Sequence, residues 1–176
     1  NGSKDATDVL TNATYASYTH IGEEKDATSL ENMKASLQWM QRCNEIREAE
    51  GLDDLYVNDY FMAIAQSNTN VSAKTMNHMN QYYVAENLAW GLQRDPFNSW
   101  YTEEKKDAEN GVTVGIGHYK NIIDPDFSYT GFAVNQYCEK FGPTPEESTT
   151  YGQVFQYNYN SGGGDQKYTV AEYTEV

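Results

Sequence analysis

From Leu30 onward the apolar residues fall into a helical rhythm: Leu30, Met33, Leu37, Met40, Cys43 and Ile46 recur at steps of three and four. This spacing predicts an amphipathic helix that ends near Gly51, and Thr28-Ser29-Leu30-Glu31 has the spacing of a capping box at its start. Asn58 is a candidate N-cap for a second helix, which Phe61, Ile64 and Ala65 carry on to Val71. The texture then changes. Tyr82 to Trp90 is aromatic and apolar without helical spacing, and reads as a short strand or an extended loop closed by Gly91. Pro96 suits the start of a third helix with Trp100 and Glu103 on its first two turns and the charges Glu104, Lys105, Lys106 and Asp107 on its solvated face. Ser128 to Cys138 alternates Phe132, Val134, Gln136 and Cys138 against Gly131, Ala133, Asn135 and Tyr137, the period of a strand. Pro143 and Pro145 interrupt, and Thr149 to Tyr157 resumes a strand. Helices first and strands late predict an α+β fold.

Composition divides the chain around this patterned core. Residues 1–27 have few aliphatics and read as a polar linker, residues 28–163 hold the patterned domain, and residues 164–176, with the glycines at 162–164 before them, read as a polar tail. The whole chain of 176 residues fits one domain. Its formal net charge of −14 repels phosphate backbones and anionic lipid, which excludes nucleic acid as a partner. No stretch approaches the roughly 18 consecutive apolar residues of a membrane helix. No signal peptide opens the sequence, so an exported protein would be seen here in its mature form.

The two cysteines, Cys43 and Cys138, permit one disulfide or two small buried core residues, and the sequence leaves both open. The sequons at Asn12 and Asn70 matter only in a eukaryotic secretory route, and Asn70 lies in a predicted helix. Asp53-Asp54 and Asp124-Pro125-Asp126 lack the ligand cadence of an EF-hand and read as turns.

The chemistry is concentrated in four ionisable residues, each within its own phrase: His78 in Met76-Asn77-His78-Met79, Glu86 in Ala85-Glu86-Asn87-Leu88-Ala89, Glu103 in Trp100-Tyr101-Thr102-Glu103, and His118 in Gly117-His118-Tyr119. Imidazoles and carboxylates are the ligands a borderline cation such as zinc prefers. These phrases, in this order, resemble the CAP superfamily, also called SCP/TAPS: cysteine-rich secretory proteins, antigen 5, plant pathogenesis-related protein 1 and bacterial relatives. Asn44-Glu45-Ile46-Arg47 with its Gly51-Leu52 turn resembles the family's opening helix, and Gly152 to Gly163 its closing strand and glycine-rich exit. The chain has two cysteines where eukaryotic members have several, and Ala85 where the usual residue is Gly, which points to a bacterial-type member.

The resemblance implies a three-layer α-β-α sandwich in which His78, Glu86, Glu103 and His118 line an open cavity. There His78 and His118 would hold a divalent metal such as zinc, with no organic cofactor, and Glu86 or Glu103 would flank it as general base or as hydrogen-bond acceptors orienting the rings. It also implies a secreted or cell-surface protein with an extracellular protein, carbohydrate or lipid partner. A binding module is the first expectation, and a metal-dependent, protease-like hydrolase is the alternative. Against hydrolysis, there is no His-Glu-x-x-His, catalytic zinc ordinarily has three protein ligands, and no Gly-x-Ser-x-Gly elbow supplies a nucleophile. Trp100 and the tyrosines either stack on sugar rings or fill the core.

Overall fold

In the computed structural model, which describes residues 3–92, 94–141, 148–158 and 166–176, the two long helices begin where their caps dictate. Helix α2 runs Leu30–Ala49 from Ser29, whose hydroxyl accepts from the Asn32 amide. The Thr28 hydroxyl instead donates to buried Asp26, 2.6 Å away, so the start falls one residue later than the capping-box spacing predicts. Gly51 closes this helix at φ 76°, a left-handed conformation that costs glycine little. Helix α3, Asp59–Thr75, is capped by Asn58 and runs one turn past Val71; it is buried without a break from Phe61 to Ala73. A helix buried all round must be covered on more than one side. The sheet lies against one side of α3, and helix α1, Lys4–Asn12, covers another.

The sheet has three antiparallel strands in the order β1-β3-β2: β1 Ala85–Leu92, β2 Phe127–Asn135 and β3 Ser148–Tyr157. Central β3 separates two cores. On one side Val154, Tyr129 and Ala133 pack with Phe61, Ile64 and Ala65 of α3; on the other Tyr151, Phe155, Phe132 and Val134 pack with Met40, Cys43 and Ile46 of α2. Gly131 marks the closest approach of sheet to α3, since a Cβ there would meet the Phe61 carbonyl oxygen at 2.1 Å. The layers are therefore α-β-α.

Between β1 and β2 the chain makes a π-helical turn, Asn98–Glu103, that continues into α4, Glu104–Glu109, and then α5, Gly117–Ile123. The segments expected as polar linker and tail both contain helices that pack on the domain. In α1, capped by Ser3, Ala6 and Val9 are buried; helix α6, Val170–Glu175, buries Val170, and Tyr173 donates its hydroxyl to Asp59. The glycines at 162–164 lie outside the described residues. Both cysteines are buried and unpaired, with Cys43 in the α2-side core and Cys138 against Met76, their sulfurs 3.5 Å apart. Asn70 is also buried, donating to Asp26 and accepting from the Ala27 amide.

Candidate functional site

His78 is placed by the end of α3. Met76 takes a left-handed φ of 57°, turning the chain out of the helix, and the Ser72 hydroxyl donates to the Asn77 carbonyl. The Trp90 indole donates to the Ser72 carbonyl, and the His78 ring meets the Trp90 ring edge-on at 6.2 Å. His78 Nδ1 then lies 2.8 Å from Glu86 Oε1. The other oxygen of Glu86 accepts from the Asn68 amide at 2.8 Å, and Asn68 accepts in turn from Gln81 at 3.1 Å. This chain of bonds fixes a carboxylate whose side chain is only 9% exposed, while His78 is 45% exposed. The hydrogen bond to Glu86 raises the His78 pKa above its ordinary value, against an opposing effect of partial burial.

His118 is placed by α5, and α5 is placed by Arg47. The buried Arg47 guanidinium donates to the Asp53 carbonyl and to those of Ile122 and Asp124 at the end of α5. Asn44, one turn earlier on α2, exchanges two hydrogen bonds with the Leu55 backbone. The Asn-x-x-Arg phrase is thus a latch that holds the helix bearing His118. The imidazole stacks on Trp100 with centroids 6.0 Å apart, and the Trp100 indole donates to the Leu88 carbonyl of β1. From β1, Asn87 donates to the His118 carbonyl and accepts from Asn121.

The carboxylate on His118 is Glu104. Its Oε1 is 2.5 Å from His118 Nδ1, and its Oε2 accepts from the Tyr119 amide at 2.8 Å. Glu103, expected from the Trp-x-x-Glu spacing, is exposed and, among the described residues, accepts only from Asn98, at 3.2 Å. The π-helical turn is the reason: its i→i+5 ring advances each residue through less rotation than an α-turn does, so the face three residues beyond Trp100 is reached one residue later. Glu104 was passed over because it stood among charges assigned to solvent. Asn68 had a signal of its own, as one of a run of polar residues, Gln66 to Asn70, that follows the apolar run Phe61 to Ala65 in the same helix.

The two pairs flank edge strand β1. Glu86 shares its face of the strand with Leu88 and Trp90, toward α3, whereas Asn87 on the other face bonds to α5. Among the described residues no three His, Cys, Asp or Glu side chains gather as a metal-holding group. The two rings share one arrangement: each has Nδ1 on a carboxylate, and neither Nε2 has a hydrogen-bond partner among the described residues. Carboxylates orient metal-binding imidazoles in this way.

The phrases that build this site lie within a longer match. The sequence profile of the CAP cysteine-rich secretory protein family matches residues 40–157. The chain belongs to the CAP family. No curated protein matches its sequence. Among solved structures, MpPR-1i is 17% identical with a TM-score of 0.48, over 70% of this chain and 91% of that one. A cysteine-rich secretory protein of Staphylococcus aureus is 16% identical with a TM-score of 0.46, over 72% of this chain and 39% of its own length. An outer surface protein of Borrelia burgdorferi is 14% identical with a TM-score of 0.47, over 74% and 96%. In this CAP domain, the described residues include no helix long and apolar enough to cross a membrane.

Proposed function

We propose that this CAP domain is a secreted or cell-surface binding module, and that the two carboxylate-held imidazoles flanking β1 form its recognition site, with Nε2 of His78 and His118 as donors for a divalent ion such as zinc. The observation that carries this reading is the shared arrangement of the two rings, each tied through Nδ1 to a carboxylate and open at Nε2. When bound, such an ion supplies a Lewis-acidic point for an oxygen-bearing partner. The role of the protein is to hold the rings: Glu86 and Glu104 set the tautomer, while Trp90 and Trp100 limit rotation. With only two protein nitrogens the affinity is low.

Binding is favoured over hydrolysis because a general base needs a carboxylate free to take a proton from water. Both oxygens of Glu86 and both of Glu104 are already engaged, and Glu103, which keeps a free oxygen, is bonded to neither imidazole. A protein, a carbohydrate and a lipid head group are the partner classes to be screened.

The test is zinc titration by calorimetry, at a pH where both rings are neutral, on the native chain and on His78→Ala/His118→Ala with its fold checked by circular dichroism. A saturable one-to-one isotherm that vanishes in the double variant is expected. Equal heats in the two proteins would remove the ion from this site.

A further inference from the structure

Helix α1 lies before the region that the CAP family profile matches, and between it and the body of the domain is a cleft of about 620 Å³. The walls of the cleft are fixed. The Ser3 amide donates to Asp59, and Ala6 and Val9 are buried. Tyr60, on the first turn of α3, and Tyr82, before β1, line the opposite wall as two half-buried rings at 83° with centroids 6.4 Å apart. Val9 and Ala13 add apolar surface.

The polar groups in this cleft decide its ligand. Asp8 is saturated within α1: one oxygen accepts from Lys4 at 2.5 Å and the other from Asn12 at 3.0 Å. Asp5 is exposed and makes no hydrogen bond among the described residues. Its charge is felt at Tyr60, whose hydroxyl pKa is raised first by burial and then by Asp5. A sugar needs several free donors and acceptors, and Asp8 and Asn12 are already spent on each other. An anion would face the exposed carboxylate of Asp5, beside an Asp8 whose charge is paired with Lys4. What two perpendicular aromatic faces, an apolar floor and one free carboxylate suit is a positive charge dressed in methyl groups. We infer that the cleft between α1 and the Tyr60–Tyr82 corner binds an organic cation of the alkylated-ammonium class.

The experiment titrates choline into the full chain and follows the Tyr60 and Tyr82 ring resonances and the choline methyl signal by NMR. Saturable shifts are expected with choline and with tetramethylammonium, and none with 3,3-dimethylbutan-1-ol, the uncharged isostere of choline. Phosphocholine should bind more weakly than choline, because its phosphate meets the Asp5 carboxylate; that order assigns the cleft to a free cation rather than a lipid head group. Asp5→Asn should weaken choline roughly 2- to 5-fold, the usual range for one exposed charge pair. Tyr82→Leu should weaken it about tenfold while Tyr82→Phe retains it. Should Tyr82→Leu fail to fold, Asp5→Asn, at an exposed position, still decides. Absence of saturable choline shifts, equal binding of the neutral alcohol, tighter binding of phosphocholine, or full affinity in Asp5→Asn would each overturn the assignment.

Discussion

Glu104 and Glu103 are chemically identical neighbours with opposite roles, and only the geometry of one turn separates them. Glu104→Gln should cost about 1 kcal/mol, a charged hydrogen bond discounted for the partial exposure of His118, and should shift the ring-nitrogen signals of His118. Glu103→Gln should change neither denaturant midpoint nor spectrum. At the other pair, the folded pKa of His78 lies above 6.5, so its contribution is complete below that pH and is lost as pH rises through the raised value. With His78 nearly half exposed, the effect on unfolding free energy is below about 1 kcal/mol. An NMR titration should show the raised value in the native chain and its fall in Glu86→Gln. Three of the four cavity residues named from the sequence stand in His–carboxylate pairs. Glu103, the fourth, stands in neither pair, because counting along a motif assumes an α-turn.

At the scale of elements, the strands and long helices were legible because burial imposes a period on them. α1 was not: Ala6 and Val9 are its only buried residues, too few for a stripe. α6 was missed for a similar reason, with Val170 alone buried, although its Thr169/Glu172 capping box is written in the sequence. The π-helical turn left no period at all. What no pattern reveals is how closely two elements approach. A Cβ on Gly131 would meet main-chain atoms of α3, with Phe61 O at 2.1 Å and C at 2.4 Å, whereas one on Gly152 would meet the Thr69 side-chain hydroxyl at 2.1 Å. Gly131→Ala should therefore cost about 3 kcal/mol or more by forcing helix and sheet apart, and Gly152→Ala less, since a side chain can rotate away. Chemical denaturation of the two variants tests the order.

For the molecule as a whole, stability comes from two cores on either face of one small sheet, without a covalent link between its cysteines. Burial pushes the Cys43 thiol up to about 11, which keeps it protonated and unreactive. A thiol reagent should find neither cysteine in the native protein and both after denaturation, and a reductant should leave the melting temperature unchanged. No reactive equivalent in denaturant, with two appearing only after reduction, would show that a bridge exists. The α+β class was legible from the order of helices and strands and the three-layer sandwich only through the family resemblance; the sequence left the state of the cysteines open, because a small apolar residue and half of a bridge occupy the same kind of position.

The π-helical turn also bears on how such a chain tolerates changes in length. One surplus residue between Trp100 and Glu104 is absorbed within a single widened turn, so the insertion is not passed on to α5 or β2. Removing Thr102 should let the turn close as ordinary α-helix, leave Glu104 three residues after Trp100, and preserve its bond to His118, as an unchanged His118 ring-nitrogen spectrum would report. Trp-x-x-Glu on an α-turn and Trp-x-x-x-Glu on a π-turn are then two lengths of one joint, and either can carry the carboxylate without rebuilding the site.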